Sequence, residues 1–467
     1  MRFRLAILFL LFAGTLCAQQ GLPTAPPGRV DSPSEWDKLS SSCGAFTPKS
    51  TLDCAEELFT GKPLHIAVGS IAPQNGFGAG LAYVSAKNTS NWRISWNADA
   101  IASNNASWRA GAYFKFVRSA GKRIGFHKGT KDYKPNLTDL PEHTVLSLYL
   151  QAISLNKLTY FGLGPASSEL GRSYYGMRET IVGGNAVKPI SARWKASLYG
   201  ELNGRFVNLR PSTGQSSPSI GVLYSEATAP GLTNQPATFQ AGEGIRMAPV
   251  LMNDAVRLNY AAIYQQFVAP GSPFSFQRLT FDLGHQYALH RKTTPAYIPR
   301  SANGPDDCSL DPATHPQCPE PVSRNFEGSI GFRVVNVLSM TPGGDLVPFY
   351  FQPTLGGSDI NGTPALSSFQ DYRFRAPNLL LLRESIEHSI WKLPLGAVFM
   401  ADEGKLSLTR GGLSDATWRH SFSAGLTLRA GGFPEVFLLY AFGGERNHTI
   451  ANVNTSLLGG SARPSLY

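Results

Sequence analysis

One late stretch of the chain carries arginines and acidic residues among aromatic residues and glycines. The stretch FYFQPTLGGSDINGTPALSSFQDYRFR begins at Phe349, and its candidate functional residues are Gly356, Gly357, Phe369, Asp371, Arg373 and Arg375. Asp402 and Gly404 follow in GAVFMADEG. A guanidinium pairs with a carboxylate through two parallel hydrogen bonds, so such a pair fixes one geometry. Arg373, Arg375, Asp371 and Asp402 are therefore candidates for such pairs.

Residues for bond-making chemistry form no recognisable pattern. The chain has no G-x-S-x-G nucleophile elbow, and its nine histidines include no H-E-x-x-H metal motif. Acidic residues cluster around Asp306 without the spacing of a calcium-binding loop, which favours a solvated acidic loop. We therefore expect no catalytic residue, no metal, no cofactor and a non-enzymatic protein. A lipase or protease whose site assembles only in three dimensions is the less favoured alternative.

The beginning of the chain has the layout of a secretory signal peptide. Arg2 and Arg4 precede an apolar run, and Ala18 ends a small-residue cleavage site. Because Arg2 and Arg4 leave with the leader, the formal net charge falls from +10 to +8. The predicted signal peptide spans residues 1–18.

Four of the five cysteines fall into two locally spaced pairs. Such pairs suit an oxidising compartment, where disulfides persist. Neither pair has nearby histidines at zinc-ligand spacing. The predicted disulfides are Cys43–Cys54 and Cys308–Cys318. Cys17 lies in the leader, and Leu16 before it is not the small residue that lipidation requires.

The composition favours a membrane protein that spans with strands. Charged residues make up 16% of the chain, below the roughly 25% of a typical soluble domain. Beyond the leader, no apolar run reaches the about 20 residues that a membrane helix needs. Because every backbone polar group must be paired inside lipid, an exported chain without spanning helices can cross only as a closed barrel.

Alternation of apolar and polar residues supports this interpretation. In RWKASLYGEL, Trp194, Leu198 and Leu202 fall on one face, and Arg193 and Lys195 fall on the other. Such segments are typical of outer-membrane strands, and we predict an all-β fold, a transmembrane antiparallel β-barrel of about 16 strands. The predicted organisation is a signal peptide at 1–18, a short periplasmic segment at 19–62 and an outer-membrane β-barrel at 63–467. Candidate strands lie near 64–73, 77–88, 91–104, 106–117, 143–155, 172–185, 191–207, 219–228, 238–250, 254–268, 275–289, 325–339, 345–355, 374–390, 395–406, 419–430 and 435–443.

The predicted connections follow the asymmetry of barrels, with short turns on one side and long loops on the other. TPGGD at 341–345 and GGFP at 431–434 are predicted as tight periplasmic turns. The long connections at 291–324 and 356–373 are predicted to share the outer side.

Several stretches resemble the C-terminal barrel of the BamA/TamA-like bacterial surface-antigen family. They are DLVPFYFQPTLGGSD, FQDYRFRAPNLLLLRESIEHSIW, GAVFMADEG, PLHIAVGSIAPQNGFGAGLAYV and FGLGPASSELGRSYYGMRET. The resemblance implies that a loop after a Gly-Gly break, here Gly356-Gly357, folds back inside the barrel. It also implies that the loop tip pairs with the acidic residue of a G-x-x-x-F-x-D-x-G pattern, here Asp402 with Gly404 after it and Met400 in place of Phe.

The loop tip departs from that family. The family's Arg-Gly would fall at Ser367-Ser368, so Arg373 or Arg375 would have to contact Asp402. Alternatively, these arginines line the wall of a pore.

The two ends of the barrel also depart from the family. A last strand after EVFLLYAFGG must come from TIANVNTSLLGGSARPSLY, in which Pro464 cannot donate to a ladder, although Tyr467 supplies a terminal aromatic. Residues 19–62 are too few for the polypeptide-transport-associated domains of the family's assembly factors.

The resemblance implies an integral outer-membrane barrel that acts in outer-membrane protein assembly or translocation, or as a plugged pore. A passive diffusion porin, a structural surface protein without insertase activity and a soluble secreted adhesin are the alternatives. Expected partners are outer-membrane lipid and lipopolysaccharide, with unfolded outer-membrane protein clients or periplasmic proteins as further candidates. No nucleic-acid module is recognisable, and the expected location is a Gram-negative outer membrane.

Overall fold

The computed structural model of the protein is dominated by β-strands. It describes residues 63–89, 91–118, 143–212, 215–252, 255–295, 322–390, 395–430, 433–453 and 463–466. The predicted signal peptide, the segment 19–62 and the predicted disulfides Cys43–Cys54 and Cys308–Cys318 lie outside these residues. Within them, no helix has the length and apolarity to cross a membrane.

The alternating segments form long strands. The first are β1 (Leu64–Ser70), β2 (Phe77–Asn88), β3 (Trp92–Ser103), β4 (Trp108–Arg118), β5 (Val145–Tyr160), β6 (Ser173–Ser191), β7 (Ala196–Pro211), β8 (Thr238–Met247) and β9 (Val250–Leu251). They are followed by β10 (Val256–Val268), β11 (Phe276–Pro295), β12 (Val322–Met340), β13 (Thr354–Leu355), β14 (Phe374–Arg375), β15 (Asn378–Ser389), β16 (Leu395–Ser407), β17 (Arg419–Ala430), β18 (Phe433–Phe442) and β19 (His448–Val453). Two single-turn helices, α1 (Ile220–Leu223) and α2 (Gly412–Asp415), lie in connections.

One antiparallel sheet contains all of these strands except β13 and β14, which pair with each other. Neighbours along the chain pair from β1–β2 through β12–β15 to β18–β19. Both β8 and β9 pair with β10, so they form one interrupted strand and the sheet has sixteen full strands, in agreement with the prediction. A pairing of β1 with β19 is not among the residue pairs of the described segments.

The sheet curls around its interior. Leu366 N–H binds Asp402 of β16, and the carbonyl of Asp371 accepts a hydrogen bond from Thr159 of β5. A flat sheet would hold β5 and β16 about 38 Å apart, at about 4.8 Å per strand. The chain from 366 to 371 spans at most about 18 Å. The strands must therefore bend around this segment.

The exposed face of the curled sheet carries large apolar side chains, and its buried face carries charged and polar side chains beside an apolar cluster. On β7, Leu202 is 70% exposed and Phe206 51%, whereas Asn203 and Arg205 are 4% and 1% exposed. Other outward apolar side chains include Leu81, Phe114, Leu148, Val182, Phe239, Ile330, Ile386, Phe399, Leu426 and Leu438. A soluble half-buried sheet has the opposite arrangement, with its apolar face against a core. The predicted all-β barrel fold with an inward-folded loop is confirmed.

Two of the predicted strands are wrong. Residues 345–355 are not part of the main sheet, because β12 pairs directly with β15 and the aromatic turn Phe349–Phe351 is buried inside. Residues 219–228 carry α1 and a loop. The polar stretch after residue 443 does supply a last strand, β19, which pairs with β18.

The predicted placement of the loops is also wrong. Because β11, β12 and β15 are successive neighbours, β11 leads to β12 at one end of the sheet and β12 leads to β15 at the other. The two long connections therefore do not share a side. TPGGD opens the β12–β15 connection, while GGFP joins β17 to β18 at the opposite end, so the two are not turns of the same side.

Candidate functional site

Residues 341–377, hereafter the interior loop, fill the curled sheet at the end where β12 leads to β15. The aromatic turn Phe349–Phe351 is buried, with side chains that are 0%, 3% and 1% exposed. The Phe349 ring packs against Tyr160 of β5 and Tyr175 of β6, with centroid distances of 5.0 and 5.2 Å. Aromatic packing thus seats the loop on strands of the opposite wall.

Gly356 and Gly357 make the tight break that the sequence predicts. Their φ angles are +107° and +60°, which L side chains rarely adopt. A Cβ on Gly356 would lie 2.5 Å from Cβ of Arg373, and one on Gly357 would collide with Asp371. Both positions therefore require glycine, because the two arms of the interior loop touch there.

Asp402 on β16 anchors the interior loop together with Arg383 on β15, its direct cross-strand neighbour. Arg383 donates from Nε to Asp402 Oδ1 at 2.7 Å and from Nη2 to Oδ2 at 3.0 Å. The same carboxylate accepts Leu366 N–H at 3.0 Å, and Arg383 Nη2 donates to Pro364 O at 2.6 Å. The pair therefore holds the loop backbone through one donor and one acceptor.

The predicted contact of Arg373 or Arg375 with Asp402 is wrong. Arg383 already donates to both carboxylate oxygens of Asp402, and it does so from the adjacent strand. Ser368, at the position of the family's Arg-Gly, is held through its backbone: its N–H donates to Ser421 Oγ at 2.8 Å. Asp402 is thus the acidic residue of the anchor, as predicted, and the basic residue is Arg383 of the neighbouring wall strand.

Gly404 lets the loop approach β16. A Cβ at this position would lie 2.8 Å from Leu355 Cδ1 and 3.3 Å from Leu366 Cδ1. Both leucines are at most 1% exposed and belong to one apolar cluster with Phe369. The second glycine of the G-x-x-x-F-x-D-x-G pattern therefore has a packing role beside the charged anchor.

Arg373 links two distant connections of the sheet. Its Nε lies 2.9 and 2.8 Å from the carboxylate oxygens of Glu445, between β18 and β19. Its terminal nitrogens donate to the side chain and carbonyl of Ser167, between β5 and β6, at 3.1 and 2.9 Å. The guanidinium lies 4.4 Å from the ring centroid of Phe374, a cation–π distance.

Two further arginines hold carbonyl groups of the aromatic turn. Arg375 Nη1 donates to Phe349 O at 2.6 Å, and Arg278 of β11 donates to Phe351 O. Both side chains are nearly buried, at 4% and 2% exposed. Burial of these charges is tolerated because their donors meet carbonyl oxygens and aromatic faces.

Asp371 and Phe369 occupy the tip region. Asp371 Oδ1 accepts Ser358 N–H at 2.9 Å. Burial raises the pKa of Asp371 above the usual aspartate value, and the Ser358 hydrogen bond opposes this shift. Phe369 is 8% exposed and packs edge-to-face on Phe374, with 5.3 Å between centroids. The predicted site residues therefore all contact or support the interior loop, but only Asp402 forms the predicted loop anchor.

Sequence reasoning misses the polar layer on the inner wall of β6, β7 and β8. Arg205 donates to Glu179 Oε1 at 2.7 Å and to Gln240 Oε1 at 2.5 Å. Asn203 accepts from Tyr149 at 2.6 Å and donates to Gln240 at 3.3 Å. The sequence does indicate that Asn203 and Arg205 point inward, because they alternate with outward apolar residues. Their partners on neighbouring strands depend on the strand register.

No protein-family model and no curated protein matches the chain. Among solved structures, the chain is similar to CdiB from Escherichia coli (14% identity, TM-score 0.47, 81% of this chain and 58% of that chain). It is also similar to CdiB from Acinetobacter baumannii (12% identity, TM-score 0.41, 82% and 56%). A third similar structure is BamA from Haemophilus ducreyi lacking POTRA domains 1–3 (10% identity, TM-score 0.45, 84% and 69%). The chain spans less than two thirds of the length of the two CdiB chains.

Proposed function

We propose that the protein is an integral β-barrel of a Gram-negative outer membrane, of the assembly or translocation type, with its lumen closed by the interior loop. The observation that carries this proposal is the inverted burial of the sheet. Outward positions such as Leu202 and Phe206 would meet lipid, and inward positions such as Arg205 would be shielded from it. Outward apolar and inward polar alternation is the arrangement of outer-membrane strands.

The predicted leader, with cleavage near Ala18, supports export to that membrane. The net positive charge is compatible with contacts to phosphate groups of outer-membrane lipid and lipopolysaccharide. Unfolded outer-membrane protein clients or periplasmic proteins are the proposed protein partners. The proposed role includes no catalytic step.

The interior loop favours a plugged barrel over a permanently open channel. Its anchors reach β5, β11, β15 and β16 and the connection between β18 and β19, so it crosses the lumen. A barrel of this strand number has an interior wide enough for an aqueous channel, so closing it requires a filling element. These hydrogen bonds and the Arg373–Glu445 ion pair can break while the pairing between the wall strands stays intact.

Two measurements test the proposal. The refolded protein should migrate faster on a gel before boiling than after, as closed barrels do, and it should require detergent or lipid to remain dispersed. Depletion from cells should lower the outer-membrane levels of other barrels. A monomer that stays soluble in plain buffer would overturn the membrane assignment, and unchanged levels of other barrels would overturn the assembly role alone.

A passive pore or a structural barrel without insertase activity is the second candidate. The hydrogen-bonded polar layer of Asn203, Arg205 and Gln240 favours it, because polar inner walls line conducting barrels. Planar-bilayer conductance separates the cases. A steady conductance in the unmodified protein indicates a pore, whereas low conductance that rises when Asp402 is replaced by alanine indicates a plug.

A further inference from the structure

Residues Arg463–Leu466, hereafter the distal segment, lie inside the curled sheet. Arg463 Nη2 is 2.9 Å from Asp99 Oδ2 on β3, and Ser465 O accepts from Arg205 Nη2 of β7 at 2.7 Å. Leu466 is 5% exposed and joins the large apolar cluster of the interior. The segment therefore contacts strands of two parts of the wall.

The interior loop recognises the backbone of this segment. Leu466 N–H donates to Asn361 Oδ1 at 2.9 Å, and Asn361 Nδ2 donates to Ser465 Oγ at 3.2 Å. Arg205 meanwhile satisfies the carbonyl of Ser465. The Leu466 N–H and the Ser465 carbonyl are thus both paired, as the main chain of a bound extended peptide is. The side chains of Arg463 and Leu466 add one charged and one apolar contact.

The groups that hold the distal segment are also held by other residues. Arg205 is fixed by Glu179 and Gln240, and Glu179 is 0% exposed. Asp99 also pairs with Arg109 at 3.4 Å. The turn that carries Asn361 is closed by Asp359, whose Oδ1 accepts Asn361 N–H at 3.0 Å. Because such preorganisation lowers the entropy cost of binding, these residues form a site rather than a chance contact.

A polar atom in this site has no partner among the described residues. Glu179 Oε2 is buried and makes no hydrogen bond, although Glu179 Oε1 pairs with Arg205. A buried acceptor of this kind has capacity for a further donor. The Glu179–Arg205 pair therefore keeps one acceptor that the distal segment does not use.

We propose that the interior contains a peptide-binding site whose present occupant is the distal segment. This inference rests on the proposed barrel function and adds the class of ligand. The ligand is an extended peptide with a basic residue and, three positions later, an apolar residue, as in Arg463-Pro-Ser-Leu466. A second peptide of this pattern competes with the chain's own segment for Asp99, Arg205 and Asn361.

The test uses the full chain folded in detergent and a fluorescent peptide, Ala-Arg-Pro-Ser-Leu, that copies residues 462–466. Unmodified protein should bind it weakly, because its site is occupied. The double variant Arg463→Glu with Leu466→Asp should bind at least tenfold more tightly, because its own segment no longer fits. Adding Asn361→Ala to this double variant should weaken its affinity for the peptide at least fivefold. Fluorescence anisotropy measures each affinity.

Two controls keep the result interpretable. Arg410→Glu changes the same charge at an exposed position outside the site and should leave peptide affinity at the unmodified level. The peptide Ala-Glu-Pro-Ser-Asp should bind no variant specifically. Equal binding of both peptides, or no gain in the double variant, would overturn the inference.

Cysteine cross-linking provides a second test that does not depend on displacement. Asn361 Nδ2 and Ser465 Oγ are 3.2 Å apart, so a short bifunctional thiol reagent should join Asn361→Cys to Ser465→Cys in a cross-link that mass spectrometry maps to 361 and 465. Absence of that cross-link in folded protein contradicts the inference. Heat-modifiable gel migration is scored on the same samples, so a failed barrel assignment and a failed peptide site give different results.

Discussion

Replacing Asp402 with alanine would remove the acceptor that Arg383 and Leu366 N–H share. Three hydrogen bonds would be lost, and the Arg383 side chain is only 14% exposed. Breaking a buried ion pair by removing one partner costs about 3–5 kcal/mol. Arg383 retains its bond to Pro364 O and some contact with solvent, so the lower value, about 3 kcal/mol, is expected. At about 1.4 kcal/mol per tenfold change, the released loop becomes about 100-fold more populated.

Hydrogen–deuterium exchange measures this release directly. In Asp402→Ala, the peptide that contains Leu366 should exchange about 100-fold faster, while peptides from the wall strands should keep their protection. Asp415→Ala removes an exposed acidic residue from α2 and serves as the matched control. Unchanged protection of Leu366 in Asp402→Ala would refute the assignment of Asp402 as the loop anchor.

The double variant Arg383→Met with Asp402→Leu tests the electrostatic part of this reasoning. It leaves no unpaired charge, and replacement of a buried pair by apolar residues is often close to neutral. It should therefore exchange more slowly at Leu366 than Asp402→Ala does. Faster exchange in the double variant would mean that the lost hydrogen bonds, and not the stranded guanidinium, determine the cost.

Three further predictions concern the wall, the glycine break and an exposed connection. Leu202→Arg should lower the free energy of unfolding in lipid vesicles by about 2–4 kcal/mol. Leu170→Arg, at a residue 96% exposed between β5 and β6, should change this free energy little. Equal effects of the two substitutions in urea titrations would contradict a lipid-facing wall. Gly357→Ala should cost about 1–3 kcal/mol in the same titration, because φ is +60° and the added Cβ meets Asp371. Burial alone would raise the pKa of Glu226, but hydrogen bonds from Thr233 and nearby amides outweigh burial and lower the pKa. The carboxylate therefore contributes to loop order above the ordinary glutamate pKa. This contribution is lost as the pH falls through the lowered pKa. Protease cleavage near this residue should increase at acid pH in the unmodified protein and be pH-independent there in Glu226→Gln.

The strand pattern could be predicted from sequence because lipid-facing and inward positions alternate with a period of two. The failure at 345–355 has a physical cause. An aromatic run is apolar whether it faces lipid or packs inside as a plug, and Phe349–Phe351 does the latter. The 219–228 error is of the same kind, since Ile220 belongs to α1 and is buried in the large apolar cluster rather than placed in a strand.

The anchor was only half predictable. Asp402 and Gly404 stand in a recognisable pattern, but Arg383 follows a run of leucines and becomes its partner only through the register of β15 on β16. The same holds for Arg205 and Glu179, which occupy diagonal positions on the neighbouring strands β7 and β6. Register depends on the whole sheet, so a sequence pattern alone cannot identify such partners.

Tyr372 and Arg373 are consecutive in the interior loop, yet they bind opposite ends of the strand series. The Tyr372 hydroxyl donates to Pro73 O in the turn after β1, and Arg373 binds Glu445 in the turn before β19. Adjacent Cα atoms are about 3.8 Å apart, so these two residues tie the connection after β1 to the connection before β19. The two ends of the strand series cannot move far apart without breaking one of the two contacts, which links the position of the interior loop to the spacing of those ends.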